Sequence, residues 1–355
     1  MKISVPRTLA IGAVLFVLGA AAGAQQRPER FAVGTASAAR GQTATGVISV
    51  PAGSDAGYDI PVAVIHGARP GKVLALAAGS HGTEYASIIA LERLIQQLDP
   101  RDIAGTVIIV PLINPASFQR IVPHLNPVDG KNMNRFFPGW LQGTQTERAS
   151  FVLTREVIEK SDHVMIDMHG GDIDESLRQY SYWTKTGNAA QDSISRDMVL
   201  AFGLDHIIIS ADRPRDPNAS RYLENTATLR RKPSITVEAG RAGTVEPEDV
   251  QALIDGTLGV MAYLRMLERP VRLVEHPVWM ERVVSVASEA SGIFYPLVER
   301  GSYVAEGMKL GCITDYVGKT LSEARAPAAG IITFIRAVPS MMQGETIANI
   351  GVIAR

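Results

Sequence analysis

The run Leu76-Ala-Ala-Gly-Ser-His-Gly-Thr-Glu84 sets an imidazole and a carboxylate three residues apart in a glycine-flanked turn. Side chains at that spacing can converge on one point. A neutral imidazole with a carboxylate makes part of a shell for Zn²⁺, which takes N and O donors at about 2.0–2.2 Å. Two donors do not hold a catalytic ion, so a third ligand and a general base must come from elsewhere. His169, in Met165-Ile-Asp-Met-His-Gly-Gly171, follows an apolar run, and the two glycines after it let the backbone approach a ligand closely. Asp167, two residues earlier, suits an orienting partner for that imidazole. Glu238, in Ile235-Thr-Val-Glu-Ala-Gly240, ends another apolar run, where burial would raise its pKa and suit it to carry a proton. Taken singly, His169 also reads as a histidine in a tight turn, and Glu238 as a carboxylate paired with Arg241.

A second kind of chemistry lies in Asp129-Gly-Lys-Asn-Met-Asn-Arg-Phe-Phe-Pro-Gly139, a loop by its terminal Gly and Pro. It presents Asn134 beside Arg135, an amide next to a planar fork of donors suited to a carboxylate. An ordinary surface turn is the alternative. The acids of Gly170-Gly-Asp-Ile-Asp-Glu175 can bind an amine or cap a following helix, and capping is the preferred reading.

These residues must be positioned by something, and hydrophobic periodicity indicates what. Strand-like runs at 46–50 and 59–65 form an antiparallel edge hairpin, followed by strands at 72–78, 106–112, 163–168, 207–210 and 234–237. Helical spacing covers 84–98, 151–160 and 247–267. Such alternation predicts an α/β domain with a mixed, mostly parallel sheet and helices on both faces. His81, Asn114, His169 and Glu238 all fall at or just past the carboxyl ends of strands, where open α/β sheets bind ligands.

Together the motifs H-G-x-E at 81–84, N-P at 114–115, D-G-x-N-x-N-R-x-F-P-G at 129–139, D-x-H-G at 167–170 and T-V-E-x-G at 236–240 resemble the zinc carboxypeptidase superfamily. The resemblance is closer to its succinylglutamate desuccinylase/aspartoacylase branch, and spans roughly residues 44–355. It implies one Zn²⁺ per chain on His81, Glu84 and His169, with Glu238 as general base and Asn134 and Arg135 on a substrate carboxylate. Relatives place an arginine between N-P and D-G to assist the oxyanion. This chain offers Arg120 early and His124 late in that stretch; Arg120 is preferred and His124 stays open. Arg241 is a further candidate for substrate contact.

The activity so implied is a zinc-dependent deacylase that hydrolyses the amide of an N-acylated amino acid or similar small carboxylate. An exported metallocarboxypeptidase-like peptidase acting on short or cell-wall peptides is the alternative. A non-catalytic binding protein is disfavoured by the complete set of motif residues.

The remaining sequence sets the context. Lys2 and Arg7, the uncharged run Leu9–Gly23 and the small residues Ala22-Gly23-Ala24 have the layout of a signal peptide cleaved after Ala24, giving a periplasmic or secreted protein. Residues 25–43 read as a flexible lead-in, 44–270 as the catalytic domain and 271–355 as a β-rich domain. In this last part Gly292 and Gly330, and Gly307 and Gly344, mark a repeat that suggests a small barrel–sandwich. Lys309 lacks the Met-Lys-Met context of a modified carrier lysine. The single cysteine, Cys312, excludes an internal disulfide, and a formal charge of −1 argues against nucleic acid. Expected partners are thus a small N-acyl amino acid or short peptide, no membrane after signal cleavage, and room for a homo-oligomer.

Overall fold

The alternation of apolar strands and amphipathic helices takes physical form in the computed structural model, which describes residues 29–210 and 213–354. The expected signal peptide lies outside the described residues. The strands of the catalytic part are β1 (Arg30–Val33), β2 (Ala36–Ala39), β3 (Gln42–Val50), β4 (Tyr58–His66), β5 (Arg69–Ala77), β6 (Ala104–Val110), β7 (His163–His169), β8 (Glu175–Leu177), β9 (Tyr180–Thr184), β10 (His206–Ser210) and β11 (Ser234–Glu238). The helices are α1 (Tyr85–Gln97), α2 (Pro115–Arg120), α3 (Gln145–Leu153), α4 (Ala189–Phe202), α5 (Leu223–Leu229) and α6 (Pro247–Tyr263). The C-terminal part adds β12 (Val278–Ala287), β13 (Gly292–Pro296), β14 (Tyr303–Val304), β15 (Lys309–Thr314), β16 (Thr320–Arg325), β17 (Gly330–Arg336), β18 (Ser340–Met341) and β19 (Thr346–Ile353).

One sheet runs through the described residues in the order β3-β4-β6-β5-β7-β11-β9-β10-β12-β19-β17-β14, with β8 also paired to β17. Its centre, β6-β5-β7-β11, is parallel. Side chains alternate across a strand, so β5 serves two cores. Leu74 and Leu76 pack with Leu91 and Leu94 of α1 and with Leu253 and Val260 of α6. Val73 and Ala75 face Ala149 and Leu153 of α3 and Ala227 of α5. Each such leucine contributes about 1.5–3 kcal/mol when fully buried. Cover on both faces leaves the strand ends as the exposed working edge of the sheet.

Three expectations need correction. Residues 30–39 are a β-hairpin, not a flexible lead-in, because Val33, Ala36 and Ala38 are buried against the same core as Ile48. The helix expected over 151–160 begins earlier, where the Thr144 backbone N–H donates to Glu147 in a capping box, and it gives way at Thr154–Ile158 to a π turn. No helix follows the acidic run at 172–175; the chain enters β8, whose Glu175, Ser176 and Leu177 pair with β17.

The C-terminal part is stitched into the main sheet. β12 lies parallel to β10 at His206–Ile208 and antiparallel to β19 over most of its length. A separate sheet, β16-β15-β13-β18, packs Phe294, Leu310 and Ile313 against Ile332, Ile347 and Ile350. The repeat seen in the sequence is structural: Gly292 and Gly330 open β13 and β17, while Gly307 and Gly344 take positive φ in the turns before β15 and β19. No helix among the described residues is long and apolar enough to cross a membrane.

Candidate active site

The carboxyl ends of β5, β7 and β11 bring the chemistry-bearing residues together. After β5 the chain makes the turn carrying His81 and enters α1 with Glu84 as its N-cap residue. Glycine is required at position 82, where a Cβ would sit 2.2 Å from the Phe118 nitrogen. The Gly82 N–H donates to Ser117 Oγ at 2.8 Å, and Asn114 caps α2 by accepting from the Ser117 N–H at 3.2 Å. The N-P motif therefore secures the turn from behind. His169 ends β7, and Glu238 stands directly beside it in the parallel register with β11.

Glu84 is the hub. One carboxylate oxygen lies 2.7 Å from His81 Nδ1 and the other 2.7 Å from His169 Nδ1, with all three side chains buried. Asn132 fixes the tautomer of His81. Its Oδ1 accepts the Asn134 backbone N–H at 2.9 Å, so it is an acceptor toward His81 Nε2 at 3.1 Å. His81 therefore carries a proton on Nε2 and turns Nδ1 to Glu84, where a proton or a metal ion bridges the pair. On the other side, buried Asp167 Oδ2 has no hydrogen-bond partner among the described residues and lies 3.8 Å from His169 Nε2. A metal on Nδ1 would leave the proton on Nε2, facing this spare acceptor. Asp167 holds its place with φ +42°, and its Oδ1 accepts from Ser80. The donor set fits a divalent ion with N and O preference, and His81, Glu84 and His169 are the residues that would hold it.

The charges around this hub oppose one another. Burial works to raise the Glu84 carboxyl, but the imidazoles of His169 and His81 hold it far below its usual range. Burial raises the Glu238 carboxyl well above that range, and the charges of Glu84, Glu175 and Asp167 add to the effect against the pull of His169. A carboxyl beside the ligand shell that takes up a proton readily is what a proton shuttle requires.

Asn134 and Arg135 both line the pocket, with different tasks. The Asn134 Oδ1 accepts the Leu223 N–H at 2.8 Å, which ties this loop to the start of α5. Arg135 places its guanidinium 4.9 Å from the centre of the Tyr222 ring. Arg213 stacks on the same ring at 4.5 Å and near Tyr182 at 5.4 Å. Among the described residues neither arginine forms an ion pair with a carboxylate of the chain.

Arg120 is not brought to the site. It is exposed at the end of α2, where the chain reverses at Ile121 with φ +55°. His124, past that reversal, does line the pocket, with its ring 5.8 Å from that of His81. Burial would lower its pKa, but its bond to Asp174 and the charges of Asp172 and Glu175 lift it to about 9. Both ring nitrogens face carboxylates, Nε2 to Asp174 at 2.9 Å and Nδ1 to Asp172 at 3.2 Å, so His124 supplies charge and no spare donor. Arg241 is likewise elsewhere: it lines a separate cavity of about 310 Å³ with Arg300 and Arg336.

The pocket measures about 280 Å³. Tyr180, Tyr182 and Tyr222 contribute to its lining, and Phe334 and Asn349 of the C-terminal part complete it. The sequence carried a signal for Asn132, inside the 129–139 motif. It carried one for Glu175 too, in the acidic run read as an amine binder or a cap; for Arg213, Tyr222 and Phe334 it carried none, because only the pairing of distant strands brings them here.

Residues 70–264 match the model of the succinylglutamate desuccinylase/aspartoacylase catalytic domain. An N-alpha-acetyl-L-2,4-diaminobutyric acid deacetylase of Halomonas elongata is 28% identical over 298 residues, 82% of this chain and 85% of that protein. Among solved structures, the product-bound ectoine utilization protein EutE of Ruegeria pomeroyi superposes with a TM-score of 0.78 at 24% identity, covering 87% of this chain and 95% of that one. A succinylglutamate desuccinylase/aspartoacylase of Rhodobacter sphaeroides gives 0.78 at 23%, covering 88% and 96%. The fold is shared with both. With its catalytic-domain model matched over more than half its length, this chain belongs to the succinylglutamate desuccinylase/aspartoacylase family of amide-cleaving hydrolases.

Proposed function

We propose that the protein is a Zn²⁺-dependent deacylase that frees an amino acid from its N-acyl derivative. The carrying observation is the convergence of His81 Nδ1 and His169 Nδ1 on the two oxygens of Glu84, with Glu238 in register beside His169. When bound there, Zn²⁺ would polarise the scissile carbonyl and acidify an attacking water. Glu238 takes the proton from that water and returns it to the departing nitrogen, a role that its raised pKa supports. Arg135 anchors the substrate carboxylate at the pocket wall. His124, kept cationic by Asp172 and Asp174, favours the negative charge that develops on the carbonyl oxygen.

A volume of about 280 Å³ is at the small end of ligand sites, which run from ~300 Å³ upward. That suits a short acyl amino acid better than a peptide, and the deacetylase relative supports a small acyl group. The test is metal analysis of the purified protein with a screen of N-acyl amino acids and short peptides. The expected result is about one zinc per chain, release of free amino acid, and a drop of roughly 10²–10⁴-fold in kcat for Glu238→Gln with zinc retained. Full activity in that variant, or activity without metal, would overturn the reading. Export to the periplasm or medium belongs to the proposal on sequence grounds, and cell fractionation with N-terminal sequencing of the mature protein checks it.

A further inference from the structure

We infer that Glu175 selects the substrate's side chain by pairing with a cationic group on it, so that the preferred substrate is an N-acyl amino acid bearing a side-chain amine. The inference rests on the deacylase reading above and deepens it.

The argument starts from which acids near the site are already engaged. Asp172 is fully buried and accepts from the Thr83 hydroxyl, the Ile173 N–H and the His124 N–H. Asp174 pairs with His124 and with Arg336. Glu84 is shared by two histidines, and Glu238 stands in register beside His169. Glu175 is different. It lines the pocket, and its carboxylate receives a single hydrogen bond, from the Asp172 N–H at 3.2 Å. Among the described residues it forms no ion pair.

Its position is rigid. Glu175 pairs in register with Arg336 of β17, and its carbonyl accepts the Ala242 N–H at 2.6 Å. Burial and the charge of Glu84 push its carboxyl up to about 7 against the nearby charge of His124 and the Asp172 N–H, so its negative charge is only partly compensated. An ammonium arriving with the ligand supplies what is missing. Among the described residues no cation of the pocket pairs with Glu175 directly. His124 is committed to Asp172 and Asp174, while Arg135 and Arg213 stack on Tyr222. The pocket thus offers guanidinium groups to a carboxylate and Glu175 to a cation. An uncharged isostere would bury Glu175 unpaired, the situation in which a polar site discriminates most strongly.

The experiment compares kcat/KM of the zinc-loaded enzyme for N-acetyl-2,4-diaminobutyrate, N-acetylornithine and N-acetyllysine with that for N-acetylnorvaline, N-acetylnorleucine and N-acetylglutamate. Wild type is set against Glu175→Gln, and calorimetry measures binding of the free amino acids. The expected outcome is a preference of about tenfold or more for at least one amine-bearing substrate, mirrored in binding. Glu175→Gln should lose that preference, its kcat/KM falling more for the amine-bearing substrates than for the neutral ones. Glu175→Lys should move the preference toward N-acetylglutamate, a gain that misfolding does not produce. Turnover without preference for an amine, or a preference that survives in Glu175→Gln, overturns this inference and leaves the deacylase reading standing. No hydrolysis of any member of the panel overturns both.

Discussion

Glu84 holds two imidazoles with one carboxylate, and the orientation of each ring is decided one shell further out. For His81 that decision belongs to Asn132, whose oxygen is committed by the Asn134 N–H and so receives the imidazole proton. Asn132→Ala should therefore weaken zinc binding by about 10- to 100-fold, measured by competition with a chelator, with the fold unchanged by circular dichroism. His81, Glu84, His169 and Glu238 were legible in the sequence because each stands in a short motif at the end of an apolar run. The choice of Arg120 over His124 was not legible. Both lie in one stretch, and only the reversal at Ile121 sends Arg120 outward and returns His124 to the pocket.

At the scale of elements, the turn between β5 and α1 depends on the backbone of α2 being able to touch it. Gly82→Ala places a methyl group against the Phe118 nitrogen, so either α2 or the His81–Glu84 turn must move. The expected result is weakened zinc binding together with a loss of stability on the order of 1–3 kcal/mol, read by metal titration and by urea melts with and without zinc. The central strands could be read from their apolar runs, since burial on both faces leaves no polar alternation to confuse them. β8 was missed because three residues carry no period, and α3 was misplaced because apolar spacing outweighed the capping box at Thr144 and Glu147.

For the whole molecule, acid stability is tied to a histidine remote from the chemistry. His163 begins β7, is buried, and among the described residues neither ring nitrogen has a hydrogen-bond partner. Burial, with the charge of Lys72 as a lesser cause, lowers its pKa to about 4. Above pH ~6.5 the ring is neutral in the folded and unfolded chains alike, and its full contribution to stability is present. Between ~6.5 and about 4 only the unfolded chain takes up the proton, so stability falls as pH falls, by up to roughly 3 kcal/mol. His163→Phe should flatten this part of the stability–pH curve, measured by denaturant melts at pH 7, 6 and 5. Across the molecule, the contribution of Phe334 to the pocket is the feature no local pattern could foretell. Phe334→Leu should raise KM with kcat and zinc content nearly unchanged, since the side chain lines the pocket and is not one of the three ligands.

The pairing of β12 with β10 has a consequence for how molecules come and go. In enzymes whose two halves swing apart, the rate of opening sets a ceiling on turnover. Here a backbone ladder joins the catalytic part to the part that supplies Phe334 and Asn349, and a swing would have to break it. The wall those two residues supply is therefore tied to the catalytic strands. A wall so tied predicts that turnover falls as the acyl chain lengthens, measured across a series of N-acyl amino acids.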